Sequence, residues 1–328
     1  MNSVHQWLLE GPAWVRYRVM LDLLHESPVA PEVQAARHDM LADEAVQRLI
    51  AEVAEWPGPA LTHHNDASHP LHKLVLLADL GLQVNDPGMR TVVERILERQ
   101  SPEGAFEVTA SIQQRYGGTG VTQPAWMLCD APLVLYALAS FGLEADSRVR
   151  RAAEHLVALV RDNGWPCAVT PSLGRFRGPG RQSDPCPYAN LVALRALSRL
   201  PAWRDTLACR LGAEALLGLW EARRQQRPYL FAMGTDFAKL KAPLIWYDLL
   251  HVAEVLTGFP WLRKDERLHE MLRLLASKAD AERKFTAESL WLAWKGWEFA
   301  QKREPSRWVT LLAWRALARL DQQTITGI

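Results

Sequence analysis

Asp184 and Cys186 stand two residues apart at the start of one apolar segment, and Asp248 and His251 stand three apart at the start of another. A carboxylate, a thiolate and an imidazole form a borderline-soft donor set suited to Zn²⁺. Three protein ligands leave a fourth position open, where the metal lowers the pKa of a bound water or thiol. The positive end of a helix dipole favours the two anions at a helix start, and the i, i+3 spacing puts Asp248 and His251 on one helix face. Cys129 and Cys167 are further thiols that can approach the same centre. Taken one at a time, these residues also serve as a helix N-cap, a buried small side chain and a core histidine.

A second chemistry lies just upstream. Arg175, Arg177 and Arg181 occupy the loop Gly174-Arg-Phe-Arg-Gly-Pro-Gly-Arg181. Guanidinium groups on a loop at a helix start make an anion clamp for a diphosphate or a carboxylate. Lys241 adds to that field, and Tyr188, Trp246 and Tyr247 offer aromatic surface beside it. The stretch from Thr62 to His72 holds His63, His64, His69 and His72, for which surface and capping roles are expected, with Asp66 and Ser68 as cap candidates.

These residues must be carried by helices, because 3.6-residue periodicity dominates the chain and no run alternates convincingly as a strand does. Six apolar segments begin near Trp14, His69, Trp126, Pro185, Pro243 and Arg307, at intervals of 55 to 64 residues. Between them lie more charged, amphipathic segments: 32–55, 87–99, 147–161, 204–223, 265–279 and 286–301. Six two-helix repeats predict a single all-α domain over 1–328, an (α/α)6 toroid with an inner and an outer helix ring. The last apolar segment is as apolar as the internal ones, which suits closure. The unusual polar residues recur at matching phases, near the starts of the inner helices.

At this point the residues resemble a family. Asp184-x-Cys186 after an Arg/Gly-rich loop, with Asp248-x-x-His251 downstream of Lys241-Ala-Pro243, is similar to the zinc site of protein prenyltransferase β subunits. The resemblance implies an α/α toroid whose zinc ligands are Asp184, Cys186 and His251, with Arg181 on the diphosphate and Tyr188 among the substrate aromatics. It extends to squalene and terpene cyclases through Gln100-x-x-x-Gly104-x-Phe106, a weakened form of their Gln/Trp repeat. The cyclases' Asp-x-Asp-Asp proton donor is missing, and Pro187 separates Cys186 from Tyr188. Gly164-Trp165-Pro166-Cys167 is faintly similar to a segment of the lanthipeptide cyclases, toroids whose zinc activates a thiol.

Composition bounds the rest. The 328 residues carry 38 Lys+Arg against 37 Asp+Glu, a net charge of +1. That balance argues against nucleic acid as partner. No signal peptide is visible, and the longest apolar stretch, 131–143, is too short to span a bilayer. Four cysteines make no disulfide framework, so a cytoplasmic location is expected. Fourteen Trp against 8 Phe and 6 Tyr supply aromatic surface for a wide core or an apolar cavity. The sequence therefore predicts a zinc-dependent, prenyltransferase-like enzyme. Arg177, Arg181, Tyr188, Lys241, Trp246 and Tyr247 would bind an apolar or diphosphate-bearing small molecule, and a companion subunit stays open. The alternatives are a non-catalytic toroid that binds an apolar ligand or a protein, and a zinc enzyme that activates a peptide thiol.

Overall fold

The structure is a computed structural model that describes residues 3–178, 180–225 and 228–320. In chain order its helices are α1 (Ser3–Leu9), α2 (Ala13–Asp22), α3 (Pro31–Ala42), α4 (Glu44–Val53), α5 (Pro70–Leu80), α6 (Met89–Leu97), α7 (Ala131–Leu138), α8 (Ser147–Ala158), α9 (Pro187–Leu197), α10 (Leu207–Glu221), α11 (Leu249–Leu256), α12 (Glu266–Ala276) and α13 (Arg307–Ala318). A short hairpin joins β1 (Val108–Ser111) to β2 (Thr122–Ala125), with Val108 opposite Ala125 and Ser111 opposite Thr122. Among the described residues no helix is long and apolar enough to cross a membrane.

The chain divides into two compact units, Met1–Arg48 with Gly234–Ile328 and Leu49–Met233, and the boundary falls within α4. In the second unit α5, α7 and α9 are buried around their whole circumference. By contrast, α6 and α8 bury one face and expose the other. This is the division into apolar inner and amphipathic outer helices that the repeat predicts. Proline occupies the first turn of α5, α7 and α9, where its missing N–H leaves no intrahelical bond unmade. Trp165 is wholly buried against α10: a Cβ on Gly212 would lie 2.3 Å from its ring, so only glycine admits it there.

A buried ion pair ties the inner helices of each unit. In the second, Arg195 of α9 holds both oxygens of Asp79 of α5 at 2.7 Å, and the Tyr136 hydroxyl of α7 donates to Asp79 at 2.6 Å. In the first, Arg315 of α13 pairs with Asp22 of α2 and with Glu254 of α11, each at 2.9 Å. Burial works against the charge on Asp22, but Arg18 and Arg315 hold its carboxyl well below the usual range.

Three expectations are corrected. The segment starting at Trp126 is not yet helical: Leu128 N donates to Ala168 O at 3.0 Å and Thr170 N to Trp126 O at 2.9 Å, so α7 begins only at Ala131. The helix expected over 286–301 reduces to one 3-10 turn, Leu292–Trp294. Its aromatics serve the core instead, with Trp297 5.5 Å and Phe299 6.1 Å from the Trp14 ring. The β1–β2 hairpin was not foreshadowed, because its strands are four residues each and carry Pro124.

Candidate functional site

In the second unit the starts of α5, α7 and α9 bring together His64, Asp130 and three cysteines. His64 Nδ1 lies 3.0 Å and 3.1 Å from the two oxygens of Asp130, the residue before α7. The Asp130 side chain is 0% exposed and that of His64 18%. Burial disfavours a charged His64, yet the Asp130 carboxylate, by charge and by hydrogen bond, raises its pKa above the ordinary imidazole value. The ring is therefore oriented through Nδ1 and retains a proton toward neutral pH. Its backbone carbonyl is bonded by His72 Nε2 at 2.9 Å. Burial pushes His72 down to about 4, so it stays neutral and acts as a strut. His69 caps α5, its Nδ1 accepting from Leu71 N at 3.1 Å. Asp66, expected as a cap, instead closes a turn on Ser68.

The arginine loop flanks this pair. Phe176 places its ring centroid 6.4 Å from that of His64. Its neighbours Arg175 and Arg177 are exposed. Arg177 Nη1 donates to Gly180 O at 2.5 Å, which holds the loop in a tight curl. Tyr229 packs on the curl: a Cβ on Gly180 would fall 2.4 Å from its ring. Arg181 is exposed, and its backbone N–H donates to Asp184 Oδ2 at 2.6 Å. Pro179 lies outside the described residues. Tyr188 is fully buried, and burial and the nearby Asp130 push its hydroxyl pKa up.

The thiols expected as metal ligands form a hydrogen-bonded chain. Cys186 contacts both Cys129 and Cys167, and the Gly178 N–H donates to Cys167 Sγ at 3.0 Å. Burial raises the Cys129 pKa against the lowering bond from Cys186, while a neighbouring thiol and burial raise those of Cys167 and Cys186, the latter to about 12. They are protonated thiols near neutral pH and poor nucleophiles.

The first unit holds Lys241, Trp246, Tyr247, Asp248 and His251. Asp248 caps α11, its Oδ1 accepting from His251 N at 3.0 Å. His251 is buried with Nδ1 2.8 Å from Trp246 O. The expected zinc site is thus corrected. Asp184 bonds Arg181, Cys186 its fellow thiols, and His251 a backbone carbonyl. Among the described residues no group of three or more His, Cys, Asp or Glu is arranged to hold a metal ion.

No family model matches the sequence, and no curated protein matches it. Solved structures do resemble it. One is a UGL variant with the saccharide dGlcA-Glc-Rha-Glc: 13% identical, TM-score 0.53, with 95% of this chain and 85% of that chain covered. Another is the unsaturated glucuronyl hydrolase of Bacillus sp. GL1, responsible for the degradation of glycosaminoglycan, 12% identical at a TM-score of 0.52 with the same coverage. The chain shares their fold. At these identities the likeness speaks for the (α/α)6 toroid alone, as the sixfold repeat predicts. It also overturns the prenyltransferase and terpene cyclase resemblance, and with it the prenyl-transfer activity and its isoprenoid substrate. The signals behind that resemblance, Asp-x-Cys and Asp-x-x-His at helix starts, arise here from capping and thiol packing. The His64–Asp130 pair was missed, since nothing local signals a contact between residues 66 apart.

Proposed function

We propose that this protein is a saccharide-degrading hydrolase acting on uronyl-bearing saccharides, with His64 as the proton-carrying group. The observation that carries the reading is the ion pair of His64 with the wholly buried Asp130. Hydrolysis of a glycosidic bond needs a proton delivered to the leaving oxygen and a water to replace it. His64 meets the first need: its pKa is raised, Nδ1 is occupied by Asp130, and its partly exposed ring can present Nε2–H to a substrate oxygen. Asp130 positions that ring and stabilises the imidazolium. The exposed residues Arg175 and Arg181, flanking the curl that Arg177 holds, suit the carboxylate of a uronyl group. The shared fold with unsaturated glucuronyl hydrolases supports the substrate class by analogy.

The test is turnover of an unsaturated uronyl disaccharide prepared from a glycosaminoglycan, followed by mass spectrometry of the products. Wild-type protein should split it into two monosaccharides, while His64→Gln should lose at least about a hundredfold in rate. Equal turnover by the variant would remove His64 from the chemistry.

A further inference from the structure

The loop that carries Arg175 and Arg181 is tied at three points within the second unit. Arg175 N donates to Gly117 O at 2.9 Å, Gly178 N to Cys167 Sγ at 3.0 Å, and Arg181 N to Asp184 Oδ2 at 2.6 Å. A fourth support comes from further down the chain. A Cβ on Gly178 would lie 2.7 Å from one edge of the Tyr229 ring, and a Cβ on Gly180 2.4 Å from the opposite edge. Neither glycine takes the left-handed φ that favours glycine. Both positions therefore require only the absence of a side chain, and the Tyr229 ring fills the space those side chains would take.

The segment that brings the ring there is strained. Tyr229, Leu230 and Ala232 all take left-handed φ, +67°, +51° and +59°. At such angles a Cβ crowds the backbone carbonyl, so residues other than glycine adopt them rarely and one at a time. Strain of this kind persists only where the surroundings dictate it. Burial of Leu230 does not dictate it, since Leu230 is 62% exposed. What the segment delivers is Phe231, wholly buried as its anchor, and the Tyr229 ring against the two glycines. Without that ring, Gly178 and Gly180 would leave the middle of the loop free to move, and binding an anion would first have to order it. We infer that Tyr229 is a positioning residue that acts through the arginine loop: its ring fixes the curl that sets Arg175 and Arg181 for a carboxylate, and so sets the preference for an anionic over a neutral saccharide. The inference rests on the uronyl reading above and names what fixes that specificity.

The test is calorimetric titration of the full chain, carrying His64→Gln so that the ligand is not consumed. The probes are an unsulfated unsaturated uronyl disaccharide and its methyl ester, which has no charge. The acid should bind at least about tenfold tighter than the ester. Tyr229→Gly accepts the left-handed φ and removes the ring, so the acid should weaken about tenfold and the ester by less than about twofold. A merely structural role would weaken both alike. Tyr229→Phe keeps the ring and should hold the acid to within about threefold. Gly180→Ala drives a Cβ into the ring and should show the same acid-selective loss. Combined with Tyr229→Gly, its loss should not multiply, because ring and Cβ no longer compete. Should Tyr229→Gly fail to fold, Gly180→Ala and Tyr229→Phe carry the test. Equal binding of acid and ester, unweakened acid binding by Tyr229→Gly or Gly180→Ala, or a loss shared by both ligands overturns the inference. Acid-selective loss in a protein whose wild type does not turn the disaccharide over would overturn the hydrolase reading alone. Turnover by wild type with acid binding indifferent to Tyr229 would overturn this inference alone.

Discussion

His64 and Asp130, 66 residues apart in the chain, meet at 3.0 Å with the carboxylate wholly buried. Two local arrangements make the contact. The extended pairing of 126–128 with 168–170 delays α7 and leaves Asp130 as the residue before its first turn. The bond from His72 to the His64 carbonyl fixes the loop before α5.

Because Asp130 raises the His64 pKa, a rate that needs protonated His64 should fall on the alkaline side only above the ordinary imidazole range. Asp130→Asn leaves burial unopposed, so that limb should move to lower pH. The ion pair's stabilisation is present below the ordinary imidazole pKa and is lost as pH rises through the raised one. A pH–rate profile of both proteins checks the first point, and thermal unfolding across the same range checks the second.

The loop arginines should act on binding. Arg175→Ala removes an exposed guanidinium beside Phe176 without touching the curl that Arg177 holds. Its KM for a uronyl disaccharide should rise roughly tenfold with kcat within about twofold. An unchanged KM would take the anion contact away from Arg175.

Asp248 makes a stability prediction of the opposite kind from most carboxylates. Its folded pKa is raised to about 7 from 3.8, so the protein loses stability as pH climbs through that window. Relative to Asp248→Asn, the loss should be on the order of 1 kcal/mol per pH unit, levelling off above the folded value. Chemical denaturation of both proteins at a series of pH values measures it.

Arg195→Met should destabilise the protein by about 3–5 kcal/mol, because it takes the paired guanidinium away from the buried Asp79 carboxylate. Asp79→Leu combined with Arg195→Met should recover most of that loss. Equilibrium unfolding of the single and double variants decides whether the pair is a lock between α5 and α9 or a dispensable contact.

The repeat of apolar and amphipathic segments was legible because burial imposes it residue by residue: α5 and α9 begin within two residues of the segments that foretold them. What depended on distant partners was not. The segment 286–301 read as an amphipathic helix, yet Gly296 takes φ +102°, Trp291 bonds Pro243 O, and Trp297 packs on Trp14 and Trp294. Asp184, Cys186 and His251 had the types and spacing of zinc ligands. Spacing along a chain does not show that Asp184 answers to Arg181, or that Cys186 sits among two other protonated thiols. His64 stood in a His-rich run expected to serve surface and capping; His69 does cap α5, though buried, and His64 does neither.

The most direct test of the account is kcat/KM of wild type, His64→Gln and Asp130→Asn on an unsaturated uronyl disaccharide, each variant first shown to be folded. Turnover by wild type that both substitutions cut by at least about a hundredfold is the predicted result. Undetectable turnover by folded wild-type protein, or full activity in His64→Gln, would contradict it.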